Sequence, residues 1–150
     1  MQTNWEAIGY TTPAVLGAQM ADPSGRDIQL IGDGAFQETA QEITTVIHHG
    51  LAPITLLLNN STYEIETLTH KCPPAHKNYN RLQSWDYSKL PSVLGPKGRP
   101  LGVRAESEDE LCSALGAAAT ASSRLSSHPE TSRACLARFI GLPKQQNGGA

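Results

Sequence analysis

Two short polar strings carry the chemistry open to this sequence. Gly32-Asp33-Gly34 follows the run Asp27-Ile28-Gln29-Leu30-Ile31, and Asn59-Asn60 closes the run Ile54-Thr55-Leu56-Leu57-Leu58. A carboxylate between two glycines offers a hard oxygen where the backbone can turn tightly and a ligand can come close. If a helix starts there, its first N–H groups face an anion such as a phosphate. A magnesium ion bridging protein and diphosphate needs oxygen ligands of this kind. Asn60 can add a neutral oxygen, and the loop Ser61 to Tyr63 a main-chain carbonyl. Alone, Gly-Asp-Gly is equally a plain turn, so its weight depends on where Asn59-Asn60 lies.

The elements around the strings decide that. Asp27 to Ile31 reads as a strand between Gly25 and Gly32. Ala35 to His49 places Phe36, Ala40, Ile43, Val46 and Ile47 on one face and stops at Gly50, which predicts a helix. Ile54 to Leu58 is a continuous β-prone run, the pattern of a strand buried on both faces of a parallel sheet. Strand, helix, strand makes a βαβ unit whose crossover sends both strand ends to one edge, where open α/β sheets bind ligands. The two polar strings therefore meet. Asn-Asn after a leucine run has no core role to explain it otherwise.

Elsewhere the pattern predicts a helix over Thr12 to Ala21, a loop and short helix around Ser88 to Leu94, and a strand over Leu101 to Ala105. Glu106 to Ser122 reads as a helix whose acidic first turn suits the helix dipole. The fold class is α/β, an open parallel sheet with flanking helices. Residues 1–122 form the domain core. Residues 123–143 supply a Ser-rich linker and a candidate last strand from Ala134 to Ile140, and 144–150 a disordered tail.

Composition narrows the partners. A chain of 150 residues is sized for one domain, and its net charge of −2 with no basic stripe argues against a nucleic-acid partner. No apolar run approaches a membrane span and nothing near Met1 resembles a signal peptide, so a cytoplasmic location is expected. Cys72, Cys112 and Cys135 are odd in number and lack CxxC spacing, which points to reduced thiols. Among the histidines, His48 and His49 end a predicted helix, where a cation suits the dipole. His70 could border the pocket, while His76 and His128 read as surface.

Five strings in order carry a family resemblance: Trp5-Glu6-Ala7-Ile8-Gly9-Tyr10, Gly32-Asp33-Gly34-Ala35-Phe36-Gln37, Ala40-Gln41-Glu42, Asn59 through Glu66, and Tyr79 through Tyr87. They resemble the cofactor-binding domain of thiamine diphosphate-dependent enzymes of the pyruvate, indolepyruvate and phenylpyruvate decarboxylase type. The match runs from about Trp5 to Ala105. It implies that Asp33, Asn60 and the carbonyl of Thr62 coordinate Mg2+, with Gly32, Gly34, Ala35 and Tyr63 beside the cofactor thiamine diphosphate. It also implies that Ile8 props the cofactor in a bent shape, that Ile65 packs against cofactor or substrate, and that Glu66 transfers protons during decarboxylation of a 2-keto acid.

From the residues alone, Ile8 reads as core and Glu66 as a solvated helix glutamate. In the family role, burial would have to raise the pKa of Glu66. Two departures stand out: Thr62 replaces the family's usual glycine, and Glu6 replaces a small glycine whose backbone faces the aminopyrimidine. The resemblance further implies a pyrimidine-binding domain on a partner chain in a homo-oligomer, without which these residues are expected to be inactive. The competing reading is a non-catalytic cofactor-binding or assembly remnant. A magnesium-dependent phosphatase is more distant, because no nucleophile and acid surround Asp33.

Overall fold

The apolar runs flanking the two polar strings form adjacent parallel strands. In the computed structural model, which describes residues 4–69, 78–95, 101–122 and 136–141, helix α1 (Thr11–Ala21) leads into strand β1 (Ile28–Gly32). Helices α2 (Asp33–Thr39) and α3 (Glu42–His48) carry the chain back to β2 (Ile54–Asn59). There follow α4 (Glu64–Thr69), a 3-10 turn at Tyr87–Lys89 running into α5 (Leu90–Leu94), β3 (Leu101–Ala105), α6 (Glu108–Ser122) and β4 (Leu136–Gly141). The strands make one parallel sheet ordered β1-β2-β4-β3. The expected open parallel sheet with flanking helices is the observed architecture.

Strand period sets the two faces. Ile31 of β1 pairs with Leu57 of β2 and packs with Phe36, Ala40, Ile43 and Tyr87 in the main core. Leu16, Val46 and Leu51 extend that layer through α1 and α3. On the other face Ile54 packs on Ala118 of α6, with Leu56 beside it. At the β1 edge no described residue covers this second face, and Ile28 and Leu30 are 66% and 60% exposed. Inside the first layer the Gln29 amide donates to Thr12 Oγ1 at 2.9 Å and accepts from Thr55 Oγ1 at 3.0 Å, tying α1 to β1 and β2.

Three expectations are refined. The single helix over Ala35 to His49 is two, because at Ala40 and Gln41 the bonding tightens: Ile43 N–H reaches Ala40 O and Thr44 N–H reaches Gln41 O, three residues back. Both junction residues keep right-handed helical angles, so the apolar face continues across the break and periodicity alone could not show it. Helix α4 was foreshadowed only by the reading of Glu66 as a solvated helix glutamate. Its six residues bury no side chain and so leave no amphipathic pattern to read. The candidate last strand, expected over Ala134 to Ile140, is observed as Leu136–Gly141, between β2 and β3 in the sheet.

The expected linker over 123–132, the tail over 144–150, and His70, Cys72, His76, His128 and Cys135 lie outside the described residues. Among the described residues no helix is long and apolar enough to cross a membrane.

Candidate functional site

Asp33 begins α2 directly after β1 and is 2% exposed. Its Oδ1 accepts the Gly34 N–H at 3.0 Å, and its Oδ2 accepts the Ser61 N–H at 2.8 Å. The second bond crosses from the end of β1 to the loop after β2. Burial pushes the Asp33 pKa above the usual carboxylate value, while the N–H groups of Ser61, Gly34 and Asp33 itself pull the other way. A carboxylate has about four lone-pair positions, so two N–H bonds leave room for a cation.

The loop that meets Asp33 is braced from behind. Tyr63 N–H donates to Asn80 O at 2.9 Å, and Leu82 N–H donates to Ser61 O at 3.0 Å, which makes an antiparallel bridge between Thr62 and Arg81. Thr62 and Arg81 form the pair without mutual backbone bonds. The N–H and C=O of Thr62 are therefore directed away from Arg81. On that far side the Thr62 N–H donates to Asn60 Oδ1 at 3.2 Å. Asn60, the Thr62 main chain and Asp33 are thus joined through Ser61.

The departure at Thr62 carries no backbone strain. Among the described residues other than glycine, only Glu6 (φ +46°) and Ser61 (φ +59°) take a left-handed backbone. Thr62 does not, so a glycine is not required there. Glu6 does keep a conformation suited to glycine, at a cost of about 1–2 kcal/mol.

The two glycines of Gly32-Asp33-Gly34 work differently from the sequence expectation. Gly32 is extended (φ −76°, ψ 156°), a conformation open to any residue, and a side chain there would meet open space. Gly34 is fixed by packing. A Cβ at Gly34 would lie 2.5 Å from Tyr63 Cε1 and 3.1 Å from Leu82 Cδ1, so the Tyr63 ring packs on the Gly34 backbone where a side chain would stand. Burial raises the Tyr63 pKa, helped by Glu38, to whose Oε1 the Tyr63 hydroxyl donates at 3.4 Å. Tyr87 closes the floor, with Gln37 Nε2 donating to its hydroxyl at 2.6 Å.

Among the described residues no three His, Cys, Asp or Glu side chains gather to hold a metal. A cation here would rest on one carboxylate, one carboxamide and one main-chain carbonyl. Those are hard oxygen donors, the set magnesium accepts, and their charge leaves room for an anionic ligand to complete the shell.

The remaining sequence candidates are placed less tightly. Ile8 is 52% exposed, so the core reading fails, and Ala35 is half-buried against the main core. Ile65 and Glu66 stand exposed on α4, so the described residues do not supply the burial that the family role of Glu66 requires. His48 and His49 end α3, at the opposite edge of the sheet, with their rings edge to face at 5.1 Å. Sequence reasoning missed Asn80, which is 2% exposed and holds the Thr62 and Tyr63 loop through its carbonyl. A polar residue within a polar stretch gives no signal for such a role.

Comparison with known proteins agrees with this geometry. Residues 1–127 match the family model described as thiamine pyrophosphate enzyme, C-terminal TPP binding domain. An alpha-keto-acid decarboxylase of Mycobacterium tuberculosis (strain ATCC 25618 / H37Rv) is 41% identical over 125 residues, covering 83% of this chain and 21% of the relative. A Schizosaccharomyces pombe protein named Probable pyruvate decarboxylase is 39% identical over 116 residues, covering 77% of this chain and 20% of its own length. The chain thus spans about a fifth of the length of these curated relatives.

Among solved structures, the thiamine diphosphate-dependent 4-hydroxybenzoylformate decarboxylase of Rhodococcus jostii RHA1 shares the fold with a TM-score of 0.66. Its identity is 19%, over 91% of this chain and 23% of that one. On the family match over residues 1–127, the chain belongs to the C-terminal TPP-binding domain family of the thiamine pyrophosphate enzymes.

Proposed function

We propose that the paired ends of β1 and β2 bind thiamine diphosphate through Mg2+, in a 2-keto-acid decarboxylase completed by a pyrimidine-binding domain of a partner chain. One observation carries this reading: the 2.8 Å bond from Ser61 N–H to Asp33 Oδ2 joins the two polar strings into one oxygen-lined place. Asp33, Asn60 and the Thr62 carbonyl hold the metal. Gly32, Gly34, Ala35 and Tyr63 border the cofactor, and Ile8 and Ile65 flank it. Bound there, thiamine diphosphate supplies the electron sink for loss of carbon dioxide from the keto acid.

What this chain adds is binding, orientation and a proton-carrying group. Asp33 offers negative charge to the cation while main-chain N–H groups fix its direction. Glu66 presents a carboxylate from α4 for proton transfer at the substrate. It acts once a second surface covers α4 and excludes water, because proton transfer needs carboxylate and substrate enclosed together. Trp5 (85% exposed), Ile8, Tyr10, Ile65 and Leu68 give such a surface apolar area to meet. The names of the relatives as alpha-keto-acid and pyruvate decarboxylases support the substrate class.

Residues 1–122 are the core of this unit, and Leu136–Gly141 adds a strand to its sheet. A homo-oligomer of full-length chains in the cytoplasm is the setting that fits. The second reading, a remnant that binds cofactor without turning it over, is favoured by the left-handed Glu6 where the family has glycine. A separately expressed pyrimidine-binding domain decides between them. Aldehyde production that appears on mixing and disappears with Glu66→Gln supports the enzyme, and silence supports the remnant.

The direct test is calorimetric titration of the chain with thiamine diphosphate, in magnesium and in chelator. Binding is expected in magnesium alone, because without the cation the diphosphate faces Asp33 charge against charge. Equal affinity in both would overturn the metal-bridged reading.

A further inference from the structure

Ser61 uses all its polar groups on different parts of the fold. Its N–H donates to Asp33 Oδ2 at 2.8 Å, its hydroxyl donates to Asn59 Oδ1 at 3.2 Å, and its carbonyl accepts the Leu82 N–H at 3.0 Å. It therefore touches the end of β1, the end of β2 and the brace behind the loop. It does so with φ +59°, a left-handed backbone that serine seldom adopts. Left-handed residues without a glycine persist only where the surroundings over-determine them.

The turn also has a consequence for its neighbours. Asn60 Oδ1 and the Thr62 N–H meet across Ser61 at 3.2 Å, so the angle at residue 61 fixes how the Asn60 carboxamide stands to the Thr62 main chain. The same angle aims the Ser61 N–H at Asp33. One backbone conformation thus sets the relation among all three oxygen donors.

We infer that Ser61, which need not touch metal or cofactor, is the positioning residue of the site: its strained turn holds Asp33, Asn60 and the Thr62 carbonyl in register before anything binds. This rests on the magnesium and thiamine diphosphate reading above. The strain is kept because the surrounding bonds return it as a preformed loop, and preformed loops lose less freedom on binding. A glycine would accept the same φ without strain. It would also lose the hydroxyl bond to Asn59 and release the loop into other conformations.

The experiment compares the 150-residue chain with its Ser61→Gly and Ser61→Ala variants in two measurements. The first is thermal melting without ligand. The second is calorimetric titration with thiamine diphosphate in saturating magnesium. Ser61→Gly is expected to melt no lower than the natural chain yet bind about tenfold more weakly, because stability and affinity part company when strain serves positioning. Ser61→Ala keeps the N–H and the strained turn, and is expected to lose less affinity than the glycine variant.

A merely structural role would move melting and affinity together. If Ser61→Gly binds as tightly as the natural chain, the positioning role falls while the cofactor reading stands. It falls as well if Ser61→Gly loses affinity only in step with a lower melting temperature. If the natural chain takes up no cofactor in magnesium, the cofactor reading fails and the inference fails with it.

Discussion

Asp33 and Glu66 are carboxylates assigned to one site, and the fold treats them in opposite ways. Asp33 is buried at the head of α2, with a main-chain N–H on each oxygen. Beneath it, Phe36 is fully buried and meets Tyr87 edge to face at 6.0 Å. Glu66 sits on α4, a helix of six residues none of which is buried. The half proposed to face the metal is held by main-chain bonds among the described residues, whereas the half proposed for proton transfer lies on an exposed helix. A metal ligand gains from being fixed in advance, because the cation supplies the charge that burial makes costly. A proton-transfer carboxylate gains from burial only when the substrate is enclosed, so its environment can be completed by a partner.

The largest effect expected from this contrast is on stability. Phe36→Ala should lower unfolding free energy by about 3–5 kcal/mol, the usual cost of emptying a core aromatic site. Leu68→Ala on α4 should change it by no more than about 0.5 kcal/mol, as for an exposed position. Chemical denaturation of the two variants measures both. Similar losses would show that α4 is as much part of the scaffold as α2, and the division proposed here would be wrong.

Legibility in the sequence followed the same line. β1 and β2 were readable because each is an apolar-rich run bounded by turn residues, and the meeting of the two polar strings was readable because they end neighbouring strands. β4 gave a weak signal although it is flanked by β2 and β3. Arg138 interrupts Leu136-Ala137-Arg138-Phe139-Ile140, and a central strand is expected to be continuously apolar. The brace from Asn80 to Leu82 was invisible for a different reason. It acts through main-chain atoms, whose partners no side-chain pattern encodes. Gly34 was read as permitting close approach, and the approach the structure shows is that of Tyr63, from a loop distant in sequence.

The next effect is on binding and sharpens the contrast between the carboxylates. Asp33→Ala should weaken magnesium-dependent binding of thiamine diphosphate by about 1–3 kcal/mol or more, the range for losing a charge-assisted partner. Glu66→Gln should leave that binding within about 0.5 kcal/mol, because the change is nearly isosteric and lies on an exposed helix. Calorimetry in magnesium compares them. A loss at Glu66→Gln matching that at Asp33→Ala would mean that Glu66 serves the metal or the diphosphate rather than the substrate.

The smallest effect concerns pH in the unliganded chain, and its sign is diagnostic. A carboxylate held by a cationic partner has a lowered pKa and loses stability as pH falls. Asp33 should do the reverse, because burial raises its pKa above the ordinary 3.8 and outweighs the N–H groups that oppose it. The folded chain then holds this proton more tightly than the unfolded chain. The resulting contribution to stability is fully present below the unfolded value and is lost as pH rises through the folded one. Measured by denaturation without metal, the stability of the natural chain relative to Asp33→Ala should therefore increase between neutral pH and about pH 4. The comparison cancels carboxylates common to both chains, including Asp22 and Asp86, whose hydrogen bonds lower their pKa values. Saturating magnesium with thiamine diphosphate should turn the slope around, since a cation beside Asp33 favours the ionised form and is released as the carboxylate is protonated. A relative stability that decreases as the pH is lowered in the unliganded chain would mean that the N–H groups dominate burial. The fold would then favour the ionised form of Asp33 before any metal arrives, and the cation would have no burial cost to relieve there.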